Sequence, residues 1–217
     1  MMPWIWLALA LLSLLAGYAF AVWRVYRGFP TVRVRLGDER VEVAPVARAD
    51  GFVRQDMKRG SLLVPSGVGQ KKVAEEGERS RVSWKDRAKV ASVQVTVLPR
   101  RESSLHFFAL PWAKPDGFKV LERALRAKFS FMGVVMRSVL VKGQTDVSFA
   151  RVDLGPLHGF LRRGFQHFQG EPRSGARVHQ FDLFDAEHHY KIDFLSFHEA
   201  LTDEQVLTSL ASFIPPR

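Results

Sequence analysis

From Pro3 to Trp23 the chain runs 21 residues without a charged side chain, and Arg24 ends the run. At about 1.5 Å per helical residue it reaches roughly 30 Å, the hydrocarbon thickness of a bilayer. Trp4 and Trp6 mark one end and Trp23 and Tyr26 the other, where amphipathic rings settle at headgroup level. The pattern predicts one membrane-spanning helix whose ends fall near Pro3, Trp4, Trp6 and Trp23. A cleaved secretory signal is the competing reading, because Ala19-Phe20-Ala21 has the small-x-small form of a cleavage site. Against it, Met1-Met2-Pro3 supplies no basic n-region, and the apolar run exceeds the roughly 7–15 residues of a signal core.

Beyond the anchor the pattern turns polar and periodic. Val32, Val34 and Leu36 alternate with Arg33 and Arg35, and Val41 to Val43 alternates again, so Gly37-Asp38-Glu39-Arg40 reads as a hairpin loop. Residues 44–90 are weakly patterned, and Ser66 to about Ser80 reads as a mobile loop. Val93, Val95 and Val97 then line one face of a strand that stops at Pro99. Leu105 to Leu110 is a further apolar piece, ended by Pro111. Asp116 is expected to open a helix with Phe118, Leu121, Leu125 and Phe129 as its buried stripe and Glu122–Arg126 as an outer i,i+4 pair. Strands are expected around Val134–Val141, Val147–Leu154 and Gly159–Phe168.

The C-terminal part is the most strongly determined. Val178–Phe184 and His189–Phe197 flank Asp185-Ala186-Glu187-His188, and that loop places Phe184 opposite His189. In this register Phe181 meets Ile192 and Leu183 meets Tyr190 on a core face, while Asp182 meets Lys191 on the other. Such an opposite-charge cross-strand pair contributes a few tenths of a kcal/mol. Thr202 with Gln205 forms a capping box for a last helix, whose Val206, Leu210 and Phe213 share one face with Leu207 and Ile214. The expected class is α+β: a transmembrane helix, then an antiparallel sheet with flanking helices. The expected division is an anchor with its flanks at 1–27, a basic juxtamembrane hairpin and loop at 28–89, and an α+β domain at 90–217.

Charge refines this picture. The net charge is +10. Residues 24–101 carry 18 Lys+Arg against 9 Asp+Glu, and residues 102–217 carry 14 against 13. Arg24, Arg27, Arg33 and Arg35 follow the apolar run and no basic side chain precedes it, so the positive-inside rule places the body in the cytoplasm. The expected location is a bacterial inner membrane, with a periplasmic body as the alternative. Near an anionic leaflet each close basic residue contributes about 1 kcal/mol, which makes Arg79, Arg81, Trp84, Lys85, Arg87 and Lys89 candidates for headgroup contact. The absence of cysteine excludes disulfides, thiolate metal sites and a Cys nucleophile. Hydrophobic content of 47%, with 17 Phe, suffices for a packed core.

The order of elements from residue 90 to 214 resembles the domains similar to PsbP, the extrinsic photosystem protein. The nearest likeness is Tyr190-Lys191-Ile192-Asp193-Phe194 followed by Asp203 to Phe213. That resemblance implies an α-β-α sandwich serving as a non-enzymatic accessory. It carries no sequence-specific motif and no functional residues.

Candidate chemistry is sparse. Asp185, Glu187, His188 and His189 form the densest metal-type cluster, but they sit in and beside a hairpin turn and match no zinc spacing. His198-Glu199 lacks the second histidine of a zincin, since position 202 is Thr202. Ser66-Gly67-Val68-Gly69-Gln70-Lys71-Lys72 lacks the spacing of a phosphate loop. Phe160-Leu161-Arg162-Arg163-Gly164-Phe165-Gln166-His167-Phe168 interleaves aromatics with arginines as a single-strand nucleic-acid surface does. A strand with phenylalanines buried and arginines in water explains it more simply.

The sequence therefore predicts a single-pass membrane-anchored accessory or interaction module, non-enzymatic and without a cofactor. Its expected partners are the bilayer, anionic headgroups and a protein; nucleic acid is disfavoured. The first alternative is an exported domain that binds an apolar or lipid-like ligand in a cleft lined by phenylalanines. The second is an enzyme using the acidic and histidine residues around 182–193.

Overall fold

The computed structural model describes residues 3–28, 34–58, 60–105, 117–127, 130–141, 144–168 and 171–215. Helix α1 spans Pro3–Gly28 and leads to strand β1, Val34–Glu42. The strands β2 (Phe52–Met57), β3 (Gly60–Pro65), β4 (Gln70–Glu76), β5 (Arg79–Lys85) and β6 (Ala91–Pro99) follow. Next come α2 (Gly117–Arg126) and α3 (Phe131–Leu140). Strands β7 (Gln144–Leu154), β8 (Leu157–Phe168), β9 (Glu171–Phe184) and β10 (His188–Ser196) precede α4 (Asp203–Ala211). The class is α+β, as the pattern predicts.

Among the described residues eight strands form one sheet in the order β1-β7-β8-β9-β10-β6-β5-β4, and β2 and β3 form a separate hairpin. Every pairing in the large sheet is antiparallel except that of β1 with β7. The sheet is therefore mixed, with one parallel pair at its edge.

Two cores follow from the alternation along these strands. On one face Val93, Val95, Val97, Phe181, Leu183, Ile192 and Phe194 pack under the β2–β3 hairpin and α4, against Leu62, Val64, Val206, Leu210 and Phe213. Reciprocal backbone bonds between Ser61 and Ile214, both 2.9 Å, fasten the C-terminal segment to β3. On the other face, among the described residues, α2 and α3 cover the β1–β7–β8 end and the adjoining end of β9, where Leu121, Leu125, Met136 and Leu140 meet Phe149, Phe160 and Phe184. The rest of that face carries polar side chains, and this asymmetry places the candidate site.

The β9–β10 register is the one expected: His189 opposes Phe184, Lys191 opposes Asp182 and Ile192 opposes Phe181. Thr202 and Gln205 form the predicted capping box. Glu122 and Arg126 make the predicted pair at 2.6 Å, and Phe118, Leu121 and Leu125 turn inward. Asp116 and Phe129 lie outside the described residues, as do residues 106–110 of the apolar piece after Leu105.

Four expectations fail, each for a physical reason. The segment Val134–Val141 is helix α3, not a strand. Ser130 caps it by accepting from the Gly133 N–H at 3.0 Å, and its buried residues, Gly133, Val134, Met136, Arg137 and Leu140, recur at helical spacing. The two alternating pieces around residue 36 are one strand. Both halves pair with β7, and the chain between Leu36 and Arg40 absorbs a bulge instead of reversing. The expected loop from Ser66 to about Ser80 contains strand β4, residues 70–76, and the start of β5. Strand β4 is exposed on both sides, so no period-two pattern marks it, and Gly77, at φ 57°, makes the tight turn into β5. The expected division at 89 and 90 falls between two strands that pair directly, β5 and β6, so both sides share one sheet.

Candidate functional site

Helix α1 is 26 residues long, and its Trp4–Trp23 stretch has a mean hydropathy of 2.2 with none of it buried against the body. It is long and apolar enough to cross a membrane. Trp4, Trp6 and Trp23 are 74%, 72% and 50% exposed, an unfavourable display in water for rings this large. Pro3 opens the helix. Arg24 and Arg27 fall in its last turns, but their side chains, and the whole of Arg33, lie outside the described residues. Arg35 is exposed on β1.

The basic run splits in two by the alternation of β5. Ser80, Val82 and Trp84 point into the core, and Trp84 is 0% exposed. This corrects its assignment to headgroup contact: a fully buried indole cannot reach lipid. Arg79, Arg81 and Lys85 face the other way and are exposed. Arg79 is held by Glu102 at 2.6 Å, while Arg87 and Lys89 are exposed in the turn before β6. Arg81 and Lys85 join Lys72, Ser83, Ser92 and Gln94 to line an open groove of about 480 Å³. It lies six strand spacings from β1 in the sheet order, about 29 Å at 4.8 Å per spacing. Nearness to the anchor in sequence is thus not nearness in space.

Beside this groove the same sheet face holds a buried polar chain. His189, from β10, gives its Nε2–H to the Asp182 carboxylate at 2.8 Å. The Ser103 hydroxyl lies 2.8 Å from the other ring nitrogen, Nδ1. Ser103 Oγ in turn accepts from the Leu105 N–H at 3.0 Å. The imidazole lies flat on Phe184, with ring centres 4.4 Å apart. Burial works to raise the Asp182 carboxyl. The His189 hydrogen bond and the charges of His189, Arg162 and Lys191 outweigh it and hold the group below the ordinary carboxylate range. Asp193, one strand over, goes the other way: burial first, then the charge of Asp182, push it up to about 6 despite Lys191 and Arg162.

The acidic and histidine residues around 182–193 therefore converge only in part. Ser103, His189 and Asp182 are in the order of a nucleophile, base and orienting acid, yet they are 6%, 4% and 1% exposed. Chemically the chain is a buried hydrogen-bond relay tying residues 103–105 to β9 and β10. The turn reading holds for Glu187, which is exposed, and for Asp185, which accepts from the Glu187 and His188 N–H groups and from the Tyr190 hydroxyl at 2.6 Å. It fails for His189, which is in the core. Among the described residues no three His, Asp or Glu side chains gather as a metal set.

The arginines of the aromatic–basic strand are not in water either. Arg162 is 7% exposed and donates to the Leu140 carbonyl at the end of α3, while Arg137 reaches back to the Leu125 carbonyl of α2 at 3.0 Å. Both occupy orphan acceptors at helix C-termini, where a cation is favoured. Five phenylalanines fill the cores: Phe149, Phe160, Phe181, Phe184 and Phe194 are all at most 1% exposed.

No family model and no curated protein sequence matches the chain. A solved structure from Bacteroides thetaiotaomicron VPI-5482 is similar over 73% of this chain at 8% identity, with a TM-score of 0.41. This chain spans 45% of that protein. A likeness at that level carries no argument about function.

Proposed function

We propose that this protein is a single-pass membrane-anchored accessory module, non-enzymatic, whose α+β body is held at the bilayer and engages a partner through the open basic side of its sheet. One observation carries the reading: the Trp4–Trp23 helix is wholly apolar, yet the body buries none of it. In a soluble protein so large an apolar surface would be covered. The resemblance of residues 90–214 to PsbP-like domains points toward the same accessory role. The arginines at 24, 27, 33 and 35 favour a cytoplasmic body at an inner membrane. The groove with Lys72, Arg81 and Lys85 suits an acidic protein surface, since exposed cations steer such a partner and set its on-rate.

Alkaline carbonate extraction of membranes tests the anchor. The full chain is expected to stay in the pellet, and release into the supernatant would defeat the reading. Protease treatment of intact spheroplasts tests the side, with protection of the body expected and digestion from outside reversing the orientation. Affinity purification from detergent-solubilised membranes tests the groove. Lys72→Glu with Arg81→Glu is expected to lose whatever acidic partner the natural chain retains, and undiminished recovery would remove the groove from the proposal.

A further inference from the structure

Helix α3 presents to the outside a stripe that the described residues leave uncovered. Phe131 is 70% exposed, Met132 38% and Val139 41%, and Val135 between them is half-buried. Positions 131, 135 and 139 are successive turns of one helix face, with 132 beside them. The opposite side, with Val134, Met136 and Leu140, is in the core. The helix has a single charged residue, Arg137, and it is folded inward onto the Leu125 carbonyl. Ser138 spends its hydroxyl on the Val135 carbonyl at 2.8 Å within the helix itself. The outer face therefore offers water almost nothing to bond.

Its position says what covers it. Helix α3 lies against α1, whose half-buried described side chains, Tyr18 and Val22, are one turn apart near the Trp23 end. Tyr18 is within about 8 Å of Trp23 along the helix axis, the depth range at which in-plane amphipathic helices lie. The ten residues of α3 reach about 15 Å, too short to span a bilayer and long enough to lie in its surface. Next to it α2 exposes Val120 with Lys119 and Arg123, cations suited to a phosphate layer.

We infer that the outer face of α3 is a second membrane contact: it lies in the headgroup–acyl boundary of the bilayer that α1 spans, and fixes the body against that surface. This rests on the membrane-anchored reading. The apolar surfaces of α1 and α3 then form one continuous lipid-facing patch, and the body has two points of attachment in place of a single swivel.

The chain contains no cysteine, so single-cysteine variants can be spin-labelled cleanly. The full chain would be reconstituted in vesicles of phosphatidylcholine and phosphatidylglycerol in equal parts. Labels would be placed by Leu11→Cys in α1 and, separately, by Phe131→Cys, Met132→Cys and Val139→Cys. Accessibility to oxygen and to a water-soluble nickel complex gives the depth of each label. The expected result is that all four labels favour oxygen, with those on α3 shallower than Leu11→Cys. If Leu11→Cys is deep but the α3 labels favour nickel, the inference falls and the anchor stands. If the α3 labels are shielded from both reagents, a protein surface covers the stripe and the lipid contact is overturned. If Leu11→Cys itself favours nickel, the anchor reading fails and this inference fails with it. Three labelled positions on α3, each checked by circular dichroism, keep the test valid should one variant fold poorly.

Discussion

Asp182 and Asp193 sit on neighbouring strands of one sheet face and ionise in opposite directions, because only Asp182 has a buried donor aimed at it. Asp193 has a folded value of about 6, above the ordinary 3.8, so the folded state holds its proton more tightly than the unfolded chain does. Its favourable contribution is full below about pH 4 and is lost as pH rises through about 6. Asp193→Asn is therefore expected to match the natural chain in stability near pH 4 and to exceed it by about 1–3 kcal/mol at pH 7, the upper figure being two pKa units undiminished by solvent. Urea midpoints across that range check this, and a difference that does not widen with pH would sink the account. Asp182 behaves in the reverse sense, contributing above its depressed value and losing that contribution in acid. Replacing it (Asp182→Ala) strands the His189 N–H and the Arg162 charge in the interior, a loss of about 3–5 kcal/mol. Thermal unfolding that shifts by no more than a surface substitution would show the relay to be idle. No spacing in the sequence betrays that relay, since Ser103 and His189 are 86 residues apart and meet only because Arg100–Glu102 turns the chain back after β6.

Among the elements, α3 depends on close approach. A Cβ at Gly133 would run into the carbonyl oxygens of Ala124 and Ala127, so Gly133→Ala should push α3 away from α2 at a cost of about 1–3 kcal/mol, read by urea denaturation. A neutral or stabilising result, as helix propensity alone would give, would contradict this packing. At α4, Thr202→Ala removes the hydroxyl that accepts from the Gln205 N–H at 3.2 Å, with an expected loss of about 1 kcal/mol by the same measurement. An unchanged midpoint would show that tertiary contacts alone hold that helix. Thr202 was legible because a capping box is a local device. Helix α3 was not, because its valines favour strand and only the packing against α2 and β8 decides otherwise. Strand β4 was obscured for another reason: the edge strand is wet on both faces, and an unburied strand has no hydrophobic alternation to read.

For the molecule as a whole, the apolar N-terminal helix contributes no residue to either core of the body. Within Trp4–Trp23 Tyr18 and Val22 are half-buried and no residue is fully buried, so a chain beginning after Gly28 is expected to keep the thermal midpoint of the detergent-solubilised full chain to within about 1 kcal/mol of stability. Loss of cooperative unfolding in the shortened chain would mean that α1 is part of the fold. The basic excess reads differently at this scale too. In sequence it follows the apolar run; in space its groove-lining members occupy the far strands of the sheet.

By itself the sequence determined what depends on neighbours along the chain: the unbroken apolar helix, the β9–β10 register, the Thr202 capping box, the alternation of β6. Each is a property of a few adjacent residues, whose side-chain periods are fixed by backbone geometry. The tertiary structure alone decided which polar residues are buried. Asp182, His189, Arg162 and Trp84 lie inside because β-pairing and helix docking bring distant segments over them, and no local pattern encodes which strand will become an edge or which face a helix will cover.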